Sequence, residues 1–230
     1  GQKVNVNPLA RSCYNDNALL LVVGVKSTVG GLQRRQTLRQ TWMTTDLGNF
    51  AERVCIQFVV GNPGLDSQED FVALELEHQI YGDMLIGLNG LEVVDSYTTL
   101  VEKTVGFMFL AMERFGPFRY LMMVDDDVYL KLNILSEALN NMQYTKRFYA
   151  GQVWAKEMKQ VIRPQRDPQH KNYLPQEKWP IEMLLPFAIG PHYILSQDCV
   201  EFVVKNRGWL HGVGTLEDVS IALWMLAIQV

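Results

Sequence analysis

Short apolar runs alternate along the chain with more polar stretches of helical spacing. The runs at 18–25, 54–60 and 118–124 are almost unbroken and rich in Val, Leu, Ile and Met. Such runs are typical of strands that are buried on both faces of a parallel sheet. The second run closes at the Gly61–Gly64 turn, and the third ends directly at three aspartates.

The stretches between and after these runs predict helices. The predicted helices lie at 34–42, 67–80, 96–115, 131–142 and from about Glu217 to Leu226. The segment 148–195 contains six prolines, and we expect it to be irregular. Strands that alternate with helices predict an α/β fold with an open, mostly parallel twisted sheet flanked by helices. Ligands of such sheets bind beyond the carboxyl ends of the strands.

Composition limits the class of protein. With 230 residues, 48% of them hydrophobic and 20% charged, we expect one globular domain over 1–230. The net charge of −4 and the lack of a basic stripe argue against nucleic acid as a partner. No signal peptide or membrane-spanning run is evident. Gly1 in place of Met and the apolar last ten residues suggest a longer protein, cut at both ends.

The three cysteines lack the close spacing of a zinc site and permit at most one internal disulfide. Their number does not indicate a cellular compartment. The four histidines also lack metal-ligand spacing, and the segment 24–28 lacks the first half of a P-loop.

The strongest local signal is the run Asp125-Asp126-Asp127 at the end of a predicted strand. Adjacent carboxylates repel one another unless positive charge lies between them. A divalent cation such as Mg²⁺ or Mn²⁺ supplies that charge and commonly shares the phosphates of a substrate. The alternative is a solvated turn before the helix at 131–142.

Two further clusters carry candidate chemistry. Arg35 and Arg39 are four residues apart and share one helix face, beside Arg34. Two guanidiniums on one face bind a diphosphate or pair with carboxylates, and a solvated basic face is the alternative. Glu217 and Asp218 begin the last predicted helix, where they either favour the helix macrodipole or supply a general base for a hydroxyl.

Eight short motifs occur in order over 18–228. They are Arg35-Gln-Thr-Leu-Arg39-Gln-Thr-Trp42, Phe58-Val-Val-Gly61, Glu77-His-Gln-Ile-Tyr81-Gly-Asp83, Asp95-Ser-Tyr97 with Leu100 and Lys103, Asp125-Asp-Asp-Val128, Lys171-Asn-Tyr173-Leu-Pro175, Pro186-Phe-Ala-Ile-Gly190-Pro-His-Tyr193-Ile-Leu-Ser196 and Glu217-Asp-Val219. Together they resemble the motifs of the β-1,3-galactosyltransferases and β-1,3-N-acetylglucosaminyltransferases, glycosyltransferase family 31.

The resemblance implies a GT-A fold and an inverting transfer of galactose, GlcNAc or GalNAc from a UDP-sugar. It also implies Mn²⁺ as the cofactor and an acceptor hydroxyl on a protein-bound or lipid-bound glycan, with a β-1,3 linkage as the product. A Golgi-lumenal, type II membrane protein is expected, with its anchor outside this chain. The implied site residues are Asp125 and Asp127 for the metal, Arg35, Arg39, Asp95, Lys103, Asp125 and Asp126 on the nucleotide side, and Asp218 as the base.

Two other interpretations remain open. A haloacid-dehalogenase-like phosphatase would use Asp125 as nucleophile and Asp127 as acid, but that fold carries its motif early rather than in mid-chain. A catalytically inactive transferase fold would bind glycans or a partner. Asn172 and Ala222 depart from the motifs of the family, and its later metal-binding histidine lies outside this chain. These departures favour the binding module, whereas the retained aspartates favour an enzyme.

Overall fold

The computed structural model describes residues 8–14, 18–64, 67–86, 91–155 and 162–230. The strands are β1 (Leu19–Lys26), β2 (Val54–Val59), β3 (Met84–Leu85), β4 (Phe118–Asp125), β5 (Tyr149–Trp154) and β6 (Phe187–Ser196). The helices are α1 (Pro8–Arg11), α2 (Leu32–Gln40), α3 (Gln68–Tyr81), α4 (Leu100–Arg114), α5 (Leu132–Asn140), α6 (Gln197–Asn206) and α7 (Glu217–Ala227). The predicted strands and helices are all present, with ends that move by a few residues.

The strands form a six-stranded sheet in the order β3-β2-β1-β4-β6-β5. The strands β1 to β4 are parallel, whereas β6 runs antiparallel to its neighbours β4 and β5. The predicted α/β class with a mostly parallel, helix-flanked sheet is therefore confirmed.

Apolar side chains cover both faces of the sheet, which explains the unbroken apolar runs. Val22 belongs to the core cluster that contains Phe107 of α4, and Val23 belongs to the cluster that contains Leu38 of α2. Gly24 lets α4 approach β1 closely, since a Cβ atom there would lie 2.4 Å from Phe107 Cε1.

The prediction that 148–195 is irregular is wrong at both ends, where β5 and β6 form. Pro191 lies inside β6, but beside an irregularity between Gly151 and Val153 in the pairing with β5. Its missing N–H therefore costs little, because proline is tolerated at bulges. The prediction also lacked α6 and the two-residue β3.

A disulfide joins Cys13 to Cys55 and ties the segment before β1 to β2, while Cys199 is a buried free thiol. The sequence allowed this one bridge without identifying its partners. None of the helices in the described ranges combines the length and apolarity needed to cross a bilayer.

Candidate active site

The candidate site begins where β1 and β4 end side by side. Lys26 ends β1, Asp125 ends β4, and the two residues are partners in the parallel register. A cleft of about 730 Å³ opens at this edge of the sheet. Its position agrees with the rule that ligands bind beyond the carboxyl ends of strands.

The cleft brings together five of the predicted site residues. They are Lys103, Asp125, Asp126, Asp127 and Asp218. The loop after β1, the turn before α4, the segment 162–172, the chain around Gly190 and the start of α7 also contribute to its wall. Arg35, Arg39 and Asp95 are not part of the lining.

Asp125 is paired with a buried lysine. Lys26 Nζ lies 2.9 Å from Asp125 Oδ1 and 3.6 Å from Glu217 Oε2, and it donates to the Gly190 carbonyl at 2.7 Å. Burial disfavours the charge of Lys26, but Glu217 and Asp125 outweigh it and raise the pKa of this lysine. A charged ammonium therefore joins the ends of β1 and β4 to β6 and α7.

The next two aspartates differ sharply in their surroundings. Asp126 is buried and accepts hydrogen bonds from Ser27 Oγ and Arg34 Nη1, both at 2.8 Å. The side chain of Asp127 is 66% exposed, and its contact with Arg34 Nη1 is 3.9 Å long. Protein cations thus relieve much of the repulsion in the acidic run and leave Asp127 accessible to a ligand.

Backbone N–H groups fix the carboxylate of Asp218. Gly190 N donates to Oδ2 and Val219 N donates to Oδ1, each at 2.9 Å. Burial and then the negative charge of Glu217 raise the pKa of Asp218, although these hydrogen bonds and Lys26 oppose the shift. A carboxylate of raised pKa is a better proton acceptor, as general base catalysis requires.

Glu217 is a buried structural acid rather than an exposed helix cap. Its Oε1 accepts hydrogen bonds from Thr104 Oγ1 at 3.1 Å and from the hydroxyl of Tyr193. Burial, followed by the charge of Glu217, raises the pKa of Tyr193 well above its ordinary value. Glu217 therefore holds α4, β6 and α7 together at the wall of the cleft and places negative charge beside Asp218.

Asp95 and Lys103 organise the loop after β1. Lys103 Nζ contacts Asp95 Oδ1 and the Ser27 carbonyl, both at 2.8 Å, and Asp95 Oδ2 accepts the N–H of Val29 at 2.8 Å. Asp95 is near the cleft through these contacts, although it does not line it. The nucleotide-side role implied for these two residues stays a prediction.

Arg35 and Arg39 lie behind the cleft. Arg35 makes two hydrogen bonds to Glu77, at 2.8 and 2.7 Å, and Arg39 contacts both Glu77 and Asp83. The alternative of a solvated face is wrong for these two arginines, since their side chains are almost fully buried, but it fits the exposed Arg34. Arg35 Nη1 also donates to Ser27 Oγ at 3.0 Å, so it supports the lining of the cleft from the far side.

The run Asp125–Asp127, at the end of β4, is an acidic edge of the cleft that fits a divalent cation shared with phosphates. Asp127 is exposed, and the side chain of Asp125 is 39% exposed. Within the described ranges, no three Asp, Glu, His or Cys side chains are grouped so as to hold an ion by themselves. Since Mg²⁺ is usually bound through one or two carboxylates and substrate phosphates, this donor set suits a metal that binds together with a nucleotide.

The sequence analysis missed Lys26, which ends β1 one residue beyond the predicted strand. The available signal was a lone charge that directly follows seven uncharged residues at the carboxyl end of a strand. A buried lysine in that position needs anionic partners. Its anionic partners, Asp125 and Glu217, lie 99 and 191 positions further along the chain, so local sequence patterns did not indicate the pairing.

A family model and several known proteins match most of this chain. The model of the family described as "Galactosyltransferase" matches residues 33–230. Beta-1,3-galactosyltransferase GALT1 of Arabidopsis thaliana is 32% identical over 209 residues, covering 89% of this chain and 30% of that protein. Beta-1,3-galactosyltransferase 6 of Mus musculus is 29% identical over 222 residues, covering 91% and 61%.

A third relative carries a different donor in its name. UDP-GalNAc:beta-1,3-N-acetylgalactosaminyltransferase 1 of Rattus norvegicus is 25% identical over 222 residues, covering 95% of this chain and 63% of that protein. The chain thus spans from under a third to just under two thirds of the length of these relatives.

Proposed function

Because the chain belongs to the galactosyltransferase family, glycosyltransferase family 31, we propose that it transfers a sugar from a UDP-sugar to an acceptor hydroxyl. The sugar is galactose, GlcNAc or GalNAc, and the product is a β-1,3 linkage made in glycan biosynthesis. The names of relatives include both a β-1,3-galactosyltransferase and a GalNAc transferase, which supports galactose and GalNAc as donor sugars, whereas GlcNAc rests on the motif resemblance alone.

One observation carries the proposal. A single cleft holds the fixed carboxylate of Asp218 and the exposed carboxylate of Asp127. Glycosyl transfer to a hydroxyl needs a base for the acceptor and charge compensation for the departing nucleotide. The two aspartates lie on different elements of the cleft, where they can serve these separate tasks.

On the donor side, Asp125 and Asp127 would hold Mn²⁺. When bound there, the metal supplies charge that stabilises the diphosphate of the leaving UDP. Arg34 lies beside Asp126 and Asp127 with an exposed side chain, so its guanidinium can approach a phosphate. The hydrogen bonds of the buried Asp126 to Ser27 and to Arg34 hold the run Asp125–Asp127 in place before the nucleotide binds.

On the acceptor side, Asp218 is the base. The acceptor hydroxyl loses its proton to Asp218 as its oxygen forms a bond with the anomeric carbon. The bond from that carbon to the UDP oxygen breaks, and UDP leaves with the electron pair. Attack on the face opposite UDP inverts the anomeric carbon and requires no covalent intermediate on the enzyme.

We also place the full-length protein in the Golgi lumen as a type II membrane protein whose anchor lies outside this chain. The buried disulfide Cys13–Cys55 supports an oxidising compartment, since such bonds are rare in the cytosol. The partners are then the UDP-sugar and a glycan acceptor on a protein or lipid.

The test is a transfer assay on the full-length protein. UDP release is measured with UDP-galactose, UDP-GlcNAc and UDP-GalNAc against β-glycoside acceptors, with Mn²⁺ or with EDTA. The proposal expects Mn²⁺-dependent UDP release that needs an acceptor and a product whose new β-1,3 linkage is visible by NMR. A retained anomeric configuration in that product would refute the inverting mechanism.

A further inference from the structure

Tyr97 and Asn172 meet across one wall of the cleft. Tyr97 begins the short 3₁₀ turn before α4, whereas Asn172 lies between β5 and β6, 75 positions further along the chain. The hydroxyl of Tyr97 donates to Asn172 Oδ1 at 2.5 Å, and both side chains line the cleft. The pair therefore bridges two separate segments at the ligand-binding surface.

The segment that carries Asn172 is held at several points. The N–H of Asn172 donates to His170 Nδ1 at 3.0 Å, and Thr215 Oγ1 donates to the Lys171 carbonyl at 3.3 Å. Leu174 is fully buried and its carbonyl accepts a hydrogen bond from Arg166 Nη1 at 2.6 Å. The amide of Asn172 is thus positioned before any ligand binds, as specific recognition requires.

The negative charges of the proposed site acids also affect the pKa of the Tyr97 hydroxyl. Burial is the main reason that the pKa of Tyr97 is raised, and the charge of Asp218 is the next. Asp125 and Glu217 add to the shift while Lys26 opposes it. The hydroxyl therefore stays protonated at neutral pH and lies within electrostatic range of Asp218.

The hydrogen bond between Tyr97 and Asn172 leaves other donors and acceptors of the two side chains available to a ligand. The hydroxyl proton of Tyr97 and the Oδ1 atom of Asn172 satisfy each other. The two N–H groups of Asn172 Nδ2 find no acceptor within the part of the chain that the structure describes. The lone pairs of Tyr97 Oη can still accept.

We propose that Tyr97 and Asn172 recognise one hydroxyl group of the sugar that binds beside Asp218. Asn172 Nδ2 donates a hydrogen bond to this hydroxyl, and Tyr97 Oη accepts one from it. A sugar hydroxyl both donates and accepts, so it complements this pair better than an ether or a methyl group does. The ring of Tyr97 offers apolar surface for the sugar ring. This inference rests on the proposed transferase function and names two specificity-determining residues for it.

The experiment compares Tyr97→Phe and Asn172→Ala with wild type in the full-length protein. The KM of the UDP-sugar is measured at saturating acceptor, and the KM of the acceptor at saturating UDP-sugar. We expect a five- to tenfold rise, about the effect of one neutral hydrogen bond, in only one of the two constants. That constant identifies whether the donor sugar or the acceptor sugar is read.

Analogues of the sugar that each lack one hydroxyl group test the proposed contact more specifically than the KM values do. Wild type should discriminate against the analogue that lacks the recognised hydroxyl, and both variants should accept it as well as the parent sugar. Tyr144→Phe is the matched control, because Tyr144 is 72% exposed and outside the cleft lining. Kinetic constants and deoxy-sugar discrimination that match wild type in both variants would overturn the inference.

Binding is also measured without turnover, by saturation-transfer NMR of the UDP-sugars and of methyl glycosides. If wild type transfers nothing but binds a sugar that both variants bind more weakly, the proposed transferase function is refuted. Recognition of a sugar hydroxyl by Tyr97 and Asn172 is then still supported. If wild type transfers nothing, and wild type and variants bind every sugar equally or bind none, the recognition of a sugar hydroxyl by Tyr97 and Asn172 is refuted together with the transfer.

Discussion

Lys26 Nζ lies 2.9 Å from Asp125 Oδ1, so an ion pair between a buried lysine and a partly exposed carboxylate joins the ends of the two central strands at the cleft. The lysine side chain is 6% exposed and also approaches Glu217. Lys26 and Arg34 both contact the run Asp125–Asp127, so two protein cations already offset part of its negative charge.

The first prediction concerns Lys26→Met. Removing the ammonium leaves Asp125 and Glu217 without their shared cation, and breaking a buried pair in this way costs about 3–5 kcal/mol. We expect the free energy of unfolding in urea to fall by that amount. Lys205→Met is the control, because Lys205 is 69% exposed and pairs with the exposed Glu201 on its own helix, so its removal should hardly move the unfolding midpoint. Equal stability of Lys26→Met and wild type would contradict the ion-pair account.

Glu77→Gln tests the arginine network behind the cleft. Burial disfavours the charge of Glu77, but hydrogen bonds and charge from Arg35 and Arg39 outweigh it and lower the pKa of this carboxyl. Its ionised form therefore stabilises the fold above the unfolded-state pKa of about 4.3. That contribution is lost as pH falls through the lower folded-state pKa.

We expect Glu77→Gln to unfold in less urea than wild type at pH 7, and the difference to shrink below about pH 4 as wild type loses its own ionised carboxylate. Glu75→Gln, on the same helix but outside this network, is the control. A difference that grows on acidification would show that the sign of the pKa shift is wrong.

Asp218→Asn tests the base. The amide keeps an oxygen that accepts the Gly190 N–H but cannot take a proton, so kcat should fall by about 10²–10⁴-fold without loss of UDP binding. In wild type, kcat should rise with pH through the raised pKa of Asp218, because only the ionised form is a base. Transfer by Asp218→Asn at the wild-type rate would exclude Asp218 as the base.

The sequence predicted the central sheet because the runs that became β1, β2 and β4 are apolar and buried on both faces. It did not predict β5 and β6, because Gly151 and Gln152 interrupt the apolar residues of β5, and Gly190, Pro191 and His192 interrupt those of β6. Pairing with β4 gives β6 its stability, and that contact is long-range.

The sequence predicted those parts of the candidate site whose residues are close together along the chain. Asp125, Asp126 and Asp127 are adjacent in sequence and line the cleft together, and Asp218 was named at the start of its helix. The fate of the arginines was not predictable in the same way. Whether Arg35 binds a ligand or Glu77 depends on a carboxylate 42 positions away, and the sequence left both options open.

The central claim is a metal-dependent UDP-sugar site at the acidic edge. It is tested most directly by calorimetry of UDP binding to the full-length protein, with Mn²⁺ and with EDTA, in wild type and Asp127→Ala. Asp127 is 66% exposed, so its loss should leave the fold intact, and Asp46→Ala serves as a control outside the cleft lining. We predict binding by wild type with Mn²⁺ only, and none by Asp127→Ala. UDP binding that is equal in EDTA, or unchanged in Asp127→Ala, would contradict the account.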